Sequence, residues 1–277
     1  MFIIDYNGIA IANIIVQKLA IDEDLIRHMI LNSIRMYNVK FRAKYGQMVI
    51  AADSSSWRKE VFPQYKYKRK EGREESSIDW NEVFRITNLI REELKENFPY
   101  KVLHINRCEA DDIIGALVNY TQEFGKYEDV MIVSADKDFI QLHKHKNVRQ
   151  FSPMTKKFVE NDDPEQYLIE HILRGDVGDG VPNILSPDNT FVDNIRQGPM
   201  TKKKIALYSD TFSMEDEVYR NYCRNKTMID LTCIPEDLTK EIIERYELDP
   251  IAHRTKVLNF LIKKKCKLLI ECAGEFL

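Results

Sequence analysis

Short apolar runs alternate with stretches of helical period through the first half of the chain. Phe2-Ile3-Ile4, Met48-Val49-Ile50-Ala51-Ala52, Val102-Leu103-His104-Ile105 and Val130-Met131-Ile132-Val133 have the length and content of buried strands. Between them, residues 22–45 carry Leu25, Ile26, Met29, Ile30, Ile34, Tyr37 and Val39 at roughly helical spacing. Residues 79–97 place Val83, Ile86, Leu89, Ile90 and Leu94 on one face before Pro99 stops the helix. Ile113-Ile114-Gly115-Ala116-Leu117-Val118 reads as a buried helix opened by Glu109-Ala110-Asp111-Asp112. This alternation predicts an α/β fold, a mainly parallel central sheet with helices on both faces. Another helix is expected from Asp163, with Tyr167, Leu168, Ile172 and Leu173, and from about Thr211 the pattern is helical throughout. The expected division is an α/β domain over 1–180 and a helical lobe over 181–277, packed beside the sheet.

Every predicted strand ends in carboxylate. Asp5 follows the first, before the turn-prone Asn7-Gly8, and Asp53 follows the second. Glu109, Asp111 and Asp112 follow the third, and Asp136 and Asp138 lie in Ser134-Ala135-Asp136-Lys137-Asp138 after the fourth. In open parallel sheets this edge is where ligands bind. Singly, each acid has an ordinary reading: acid in a first helical turn offsets the helix dipole, and Asp after a strand caps the next helix. Jointly they have a different one. No packing or solubility requirement places acids at the ends of four strands. A pair of divalent cations about 4 Å apart does, because hard ions need several oxygens and must share them. Asp176 and Asp179 sit among glycines in Gly175-Asp176-Val177-Gly178-Asp179-Gly180, without the further acids of an EF-hand loop. His104, His143, His145 and His171 show no ligand spacing with carboxylates and are expected to be structural or superficial. Neither Ser134 nor any Cys sits in a recognisable His and Asp arrangement, so a side-chain nucleophile is not expected.

Charge changes the picture only when resolved along the chain. The formal net charge of −3 over 277 residues does not point to a polyanion. Between Trp57 and Arg73, however, Arg58, Lys59, Lys66, Lys68, Arg69, Lys70 and Arg73 face only Glu60 and Glu71. Tyr65-Lys66-Tyr67-Lys68-Arg69 interleaves rings that stack on bases with cations that hold phosphates; the plain alternative is a solvated loop or helix. Segment 54–78 follows the second strand directly, which would hang it over the acidic edge. Lys202, Lys203 and Lys204 open a helix after Thr201, where phosphates bind readily. Lys263-Lys264-Lys265 and Lys267 either touch duplex or form a solvated helix end. No apolar run reaches the roughly 18 residues of a membrane span, and no basic region precedes the N-terminal apolar stretch, so a soluble, untargeted chain is expected. Cys108, Cys223, Cys233, Cys266 and Cys272 contain no C-x-x-C pair, which fits a reducing cytoplasm and neither a zinc site nor a disulfide framework.

These motifs resemble the 5′ nuclease superfamily of flap endonucleases, the 5′ nuclease domain of DNA polymerase I and phage 5′ exonucleases. The matching elements are Asp5, Asp53, Tyr65-Lys66-x-x-Arg69, Glu109-Ala110-Asp111-Asp112, Ser134-Ala135-Asp136-Lys137-Asp138 and Gly175-Asp176-x-x-Asp179, in register over residues 1 to about 185. Ile30-Leu31-Asn32-Ser33-Ile34, Glu74-Glu75-Ser76, Gln141-Leu142-His143-Lys144, Ser152-Pro153-Met154 and Ile229-Asp230-Leu231 are similar to the ribonuclease H group of T-even bacteriophages. The resemblance implies a PIN-like 5′ nuclease core, a helical arch over 54–78 and a helix-turn-helix-like DNA-binding lobe. It implies a metal-dependent 5′–3′ exonuclease and ribonuclease H of DNA replication that removes RNA primers and short DNA, with flap endonuclease action and 5′-phosphate products.

Carried over residue by residue, Asp5, Asp53, Asp111 and Asp136 would hold one Mg²⁺ or Mn²⁺ directly or through water, with Glu109 beside it as a further ligand. Asp138, Asp176 and Asp179 would hold a second ion, with Asp112 behind the ligands. Lys66 and Arg69 would meet the scissile or neighbouring phosphate, and Tyr65 would stack on or orient the 5′ nucleotide. Substrates would be RNA–DNA hybrids and duplex DNA with 5′ ends, flaps or forks. The implied state is a monomer off the membrane, in the host cytoplasm if phage-encoded. A single-strand-binding protein or sliding clamp is the kind of partner implied, although the chain starts almost at its first strand, without a clamp-docking extension. Pro182 to Pro199 is longer and less regular than the family's glycine-rich helix-turn-helix, which argues against a K⁺ site there.

Three competing readings fare worse. A catalytically silent branched-DNA binder gains nothing from acids that repel phosphate. A phosphatase with an aspartyl nucleophile needs Asp-x-Asp after the first strand, where this chain has Asp5-Tyr6-Asn7. A PIN-type ribonuclease would share the acidic core but need neither arch nor helical lobe.

Overall fold

The computed structural model describes residues 1–15, 21–252 and 255–277, apart from the Lys70 side chain of the basic run. Six strands form one sheet: β1 (Phe2–Asp5), β2 (Met48–Ala52), β3 (Lys101–His104), β4 (Val130–Val133), β5 (Val148–Ser152) and β6 (Lys157–Val159), in the order β3-β2-β1-β4-β5-β6. All neighbours pair in parallel except β6, which runs antiparallel to β5. The helices are α1 (Tyr6–Ile15), α2 (Glu23–Tyr45), α3 (Arg58–Val61), α4 (Tyr67–Glu74), α5 (Trp80–Asn97), α6 (Ala110–Thr121), α7 (Pro164–Arg174), α8 (Lys202–Tyr208), α9 (Asp216–Ile229), α10 (Glu236–Glu247), α11 (Lys256–Lys263) and α12 (Lys267–Ile270), with a long 3-10 helix at Lys137–Lys144.

The unbroken apolar character of the inner strands follows from burial on both faces. Phe2, Ile4, Met48, Ile50, Met131 and Val133 face a core shared with α1, α2, α5 and α11. Ile3, Val49, Ala51, Val130 and Ile132 face the other core, against α6 and α10. The C-terminal helices therefore close on both sides of the sheet: Leu238 and Ile242 on the α6 side, Val257, Phe260, Leu261 and Leu269 on the opposite one. Buried Arg27 fixes α2 to α5 through Glu93 at 2.7 Å. Among the described residues, no helix is long and apolar enough to cross a membrane.

The structure departs from the sequence expectation in three places. Asn7-Gly8 is not a turn but lies inside α1, because the Asp5 carboxylate accepts from the Gly8 amide at 3.0 Å and so caps the helix start. A Cβ on Gly8 would stand 2.6 Å from Asp5 Oδ2, so a larger residue here would push the Asp5 carboxylate out of its place. The β5–β6 pair was hidden by polar residues: Gln150 is fully buried in β5 and donates to the carbonyls of Ser134 and Asp136, which ties β5 to the end of β4. Segment 54–78, finally, is helical as the resemblance implies for the arch, in two short helices, but it is anchored to the body rather than solvated, through Trp57, Phe62 and Tyr65, all buried.

If the C-terminal helices complete the sheet's core, Leu261→Ala should cost about 2–5 kcal/mol in a single unfolding transition common to the whole chain. Denaturant unfolding followed by far-UV and near-UV signals checks this; two separated transitions would show an independent lobe.

Candidate active site

Parallel strands point their carboxyl ends the same way, so the acids that follow them share one edge. Asp5 ends β1, Asp53 follows β2 by one residue, Asp111 lies in the first turn of α6 after β3, and Asp136 follows β4. Asp5, Asp53 and Asp136 are each held from behind. Ser134 Oγ donates to Asp5 Oδ2 at 2.8 Å and accepts from the Asp136 amide at 3.1 Å. The Ala110 amide donates to Asp53 Oδ1 at 2.8 Å, and Asp136 Oδ1 accepts from the Asp138 amide at 3.0 Å. Burial and then the Asp53 charge push the Asp5 carboxyl up to about 6. Burial and Asp136 push Asp111 well above the carboxylate range, Asp5 and Asp53 adding to the push. Asp53 is raised too, first by burial. Among the described residues no lysine or arginine forms an ion pair with Asp5, Asp53 or Asp111.

A second set lies beside the first, on the other side of Asp136. Gly175 turns the chain back after α7 with φ +67°, and a Cβ there would lie 2.3 Å from the Val181 carbonyl oxygen. The turn places Asp176 and Asp179 beside Asp138, on the 3-10 helix, and His171, in the last turn of α7. His171 contradicts its expected structural role: Nε2 stands 3.3 Å from Asp176 Oδ2 and Nδ1 3.5 Å from Asp138 Oδ1. Among the described residues, Asp138, His171 and Asp176 alone bring three donor atoms within 4.8 Å of one another, so the strand-end aspartates stand wider apart. Burial and Asp136 raise Asp138 to about 7, with His171 working against them. Burial also works to raise Asp176, but the His171 contact and the amides of Asp179 and Gly178 outweigh it and hold that carboxyl low. No sequence spacing announced His171, because helix and turn bring it to Asp138 from across the fold.

Three expected roles change. Glu109, expected beside the first ion as a ligand, has both oxygens engaged: Oε1 by Lys66, Oε2 by Ser56 at 2.7 Å, Tyr65 at 2.9 Å and Arg58 at 3.3 Å. Burial alone would raise Glu109, yet Lys66 and then Arg58 hold it low. Tyr65 is not free to stack on a nucleotide, being buried with its hydroxyl shared between Glu109 and Asp179 Oδ2 at 2.8 Å. Arg58 leaves the solvent-facing basic run altogether: it is buried, paired with Asp112 at 2.8 Å, and donates to the Met228 carbonyl at 2.8 Å. Asp112, fully buried, also accepts from Trp57 Nε1 at 3.2 Å and from the Glu109 amide at 2.9 Å.

The arch is tied to the second acidic loop. Lys66 has φ +57°, and its amide donates to the Asp179 carbonyl at 2.8 Å. Its ammonium lies 3.4 Å from Asp179 Oδ2, while Arg69, half exposed, pairs with Asp179 Oδ1. Lys202 and Lys203 are exposed at the start of α8 and Lys204 is half-buried. Among the described residues none of the three contacts a carboxylate of the cluster. In the later lysine run, Lys264 is engaged by Glu93.

A mainly parallel sheet that gathers carboxylates at its strand ends, beneath a cationic helical segment, defines a 5′ nuclease. The sequence model of the 5′–3′ exonuclease N-terminal, resolvase-like domain matches residues 16–170, that of the T4 RNase H C-terminal region matches residues 162–276, and the chain belongs to this 5′–3′ exonuclease family. It is 32% identical over 293 residues to the ribonuclease H of Enterobacteria phage T4, covering 99% of this chain and 95% of that one. The zinc-bound T5 5′-exonuclease has the same fold at a TM-score of 0.62 and 18% identity, covering 89% of this chain and 99% of its own. A bacteriophage T5 flap endonuclease complexed with DNA and metal ions matches with the same score, identity and coverage.

Two predictions separate the acids. Asp112→Ala leaves Arg58 buried without its partner and should cost about 3–5 kcal/mol, whereas Asp111→Asn removes repulsion and should raise the melting temperature of the ion-free protein. The second concerns pH. Asp5 and Asp138 ionise in the fold only near pH 6 and 7, above their unfolded range, so their protonated forms favour the fold below about pH 4 and this contribution is lost as pH rises through 6–7. A divalent ion needs the ionised forms. The rise in melting temperature on adding Mg²⁺ should therefore be small at pH 5 and about 5 °C or more at pH 8 with ion far above its Kd; calorimetry at both pH values checks it.

Proposed function

We propose that this 5′ nuclease is divalent-ion dependent and removes RNA primers and the adjoining short DNA from 5′ ends, cutting flaps where they occur and leaving 5′ phosphates. The observation that carries the proposal is the uncompensated group Asp5, Asp53, Asp111 and Asp136, of which Asp5, Asp53 and Asp136 are held by Ser134 and backbone amides. All-oxygen donors whose charged forms are disfavoured without a cation fit Mg²⁺ or Mn²⁺. Those four would hold one ion, and Asp138 and Asp176, with Asp179 once the arch releases it, a second. When bound, such ions supply a water acidified towards neutrality and neutralise charge on the leaving oxygen.

The chain's own residues bind and orient. Arg69 and Lys66 lie on Asp179, and a substrate phosphate takes over the same cations by charge exchange. Glu109 and Tyr65 keep Lys66 in place while that exchange happens. The basic start of α8 tracks the duplex backbone beyond the cut, so that residues 1–180 cut and residues 181–277 hold. Attack on the RNA strand of hybrids is supported by the likeness to T4 ribonuclease H over nearly the whole chain; primer removal in replication, with a single-strand-binding protein or clamp as helper, is the role we propose for it.

The test is a series of 5′-labelled flap, nick and RNA–DNA hybrid substrates digested with and without Mg²⁺. Short 5′-phosphorylated products should appear only with the ion. Asp111→Asn should lower turnover by about 100-fold, the upper end of the 10–100-fold loss seen even for residues one layer behind a metal, with substrate binding retained. Salt-sensitive binding without cutting under any divalent ion would make the protein a silent DNA binder instead.

A further inference from the structure

We propose that His171 is a metal ligand through Nδ1, giving the second cation position a nitrogen donor that makes it favour Mn²⁺, Co²⁺ or Zn²⁺ over Mg²⁺. The proposal rests on the two-ion reading above and adds to it a residue outside the acidic motifs. Its first support is an under-satisfied atom: His171 Nδ1 is buried and makes no hydrogen bond, and its one carboxylate neighbour, Asp138 Oδ1, stands off at 3.5 Å. A buried ring nitrogen whose only contact is that long is poorly satisfied, and a cation shared with Asp138 satisfies both atoms.

The ring is also fixed as a ligand's ring is fixed. Nε2 stands 3.3 Å from Asp176 Oδ2, the kind of carboxylate contact that sets tautomer and orientation when the other nitrogen binds metal. Tyr167, one turn earlier on α7, meets the imidazole edge to face at 6.0 Å between centroids. The next two residues, Ile172 and Leu173, are buried and anchor that end of α7. Donor spacing is compatible with one ion, since an atom each from Asp138, His171 and Asp176 lies within 4.8 Å of the others. The chemistry then selects the ion. Mg²⁺ keeps to oxygen ligands, whereas imidazole raises affinity for later first-row ions.

The experiment uses the full chain labelled with ¹⁵N-histidine, loaded with Mn²⁺ and read by pulsed EPR, together with Co²⁺ and Mg²⁺ titrations by calorimetry. The wild type should show coupling between Mn²⁺ and a histidine nitrogen. His171→Gln, which keeps an amide near the Nε2 position, should lose that coupling and bind Co²⁺ about tenfold or more weakly, with Mg²⁺ affinity changed less than about threefold. Mn²⁺ bound without histidine coupling in the wild type would overturn the proposal and leave His171 as a counter-charge to Asp138 and Asp176; cutting with Mg²⁺ would still uphold the nuclease reading. Failure of every divalent ion to bind would overturn both.

Discussion

Repulsion among carboxylates at one edge of the sheet is the constraint on which the other features depend. Asp5 and Asp111 are raised by burial and by their acidic neighbours, and the strain is kept because the strands that deliver them are parallel, adjacent and packed on both faces. A loop-borne cluster would relax away from such charge. Here β1, β2 and β4 cannot move without opening two hydrophobic cores, so relief comes from outside, as bound cation or proton.

The protein balances only part of this charge itself, and the division is informative. Arg58 neutralises Asp112 and part of Glu109, Lys66 the rest of Glu109, and Arg69 meets Asp179. These pairs lock the arch to the body: the left-handed backbone at Lys66 is held by the Asp179 carbonyl, and Tyr65 bridges the same two acids from below. Among the described residues, Asp5, Asp53 and Asp111 receive no such partner. Glu109 and Asp112 are thus balanced within the protein, whereas Asp179 shares its cations with the arch.

Much of this was legible in the residues. The strands β1, β2 and β4 were plain because double burial demands unbroken apolar runs, and α2 and α5 because Asp22 and Asp79 cap them where the period begins. The convergence of acids followed from strand direction alone. What stayed hidden depends on contacts between distant segments. β5 carries Arg149 and Gln150, and only the fold shows Gln150 buried against Ser134 and Asp136. Arg58 looked like one more cation in a basic run until Asp112 and the Met228 carbonyl enclosed it. His171 needed both the Gly175 turn and the 3-10 helix after β4 to reach its aspartates. Asp5 concealed α1, since an aspartate before Asn7-Gly8 looks the same whether it begins a turn or caps a helix.

The account stands or falls on whether the strand-end acids capture dications. Anomalous diffraction from crystals equilibrated with Mn²⁺ measures this directly. The account predicts two peaks about 4 Å apart, one among Asp5, Asp53, Asp111 and Asp136 and one beside Asp138 and Asp176. An empty edge at saturating Mn²⁺, or ions bound only at surface carboxylates elsewhere, would contradict it.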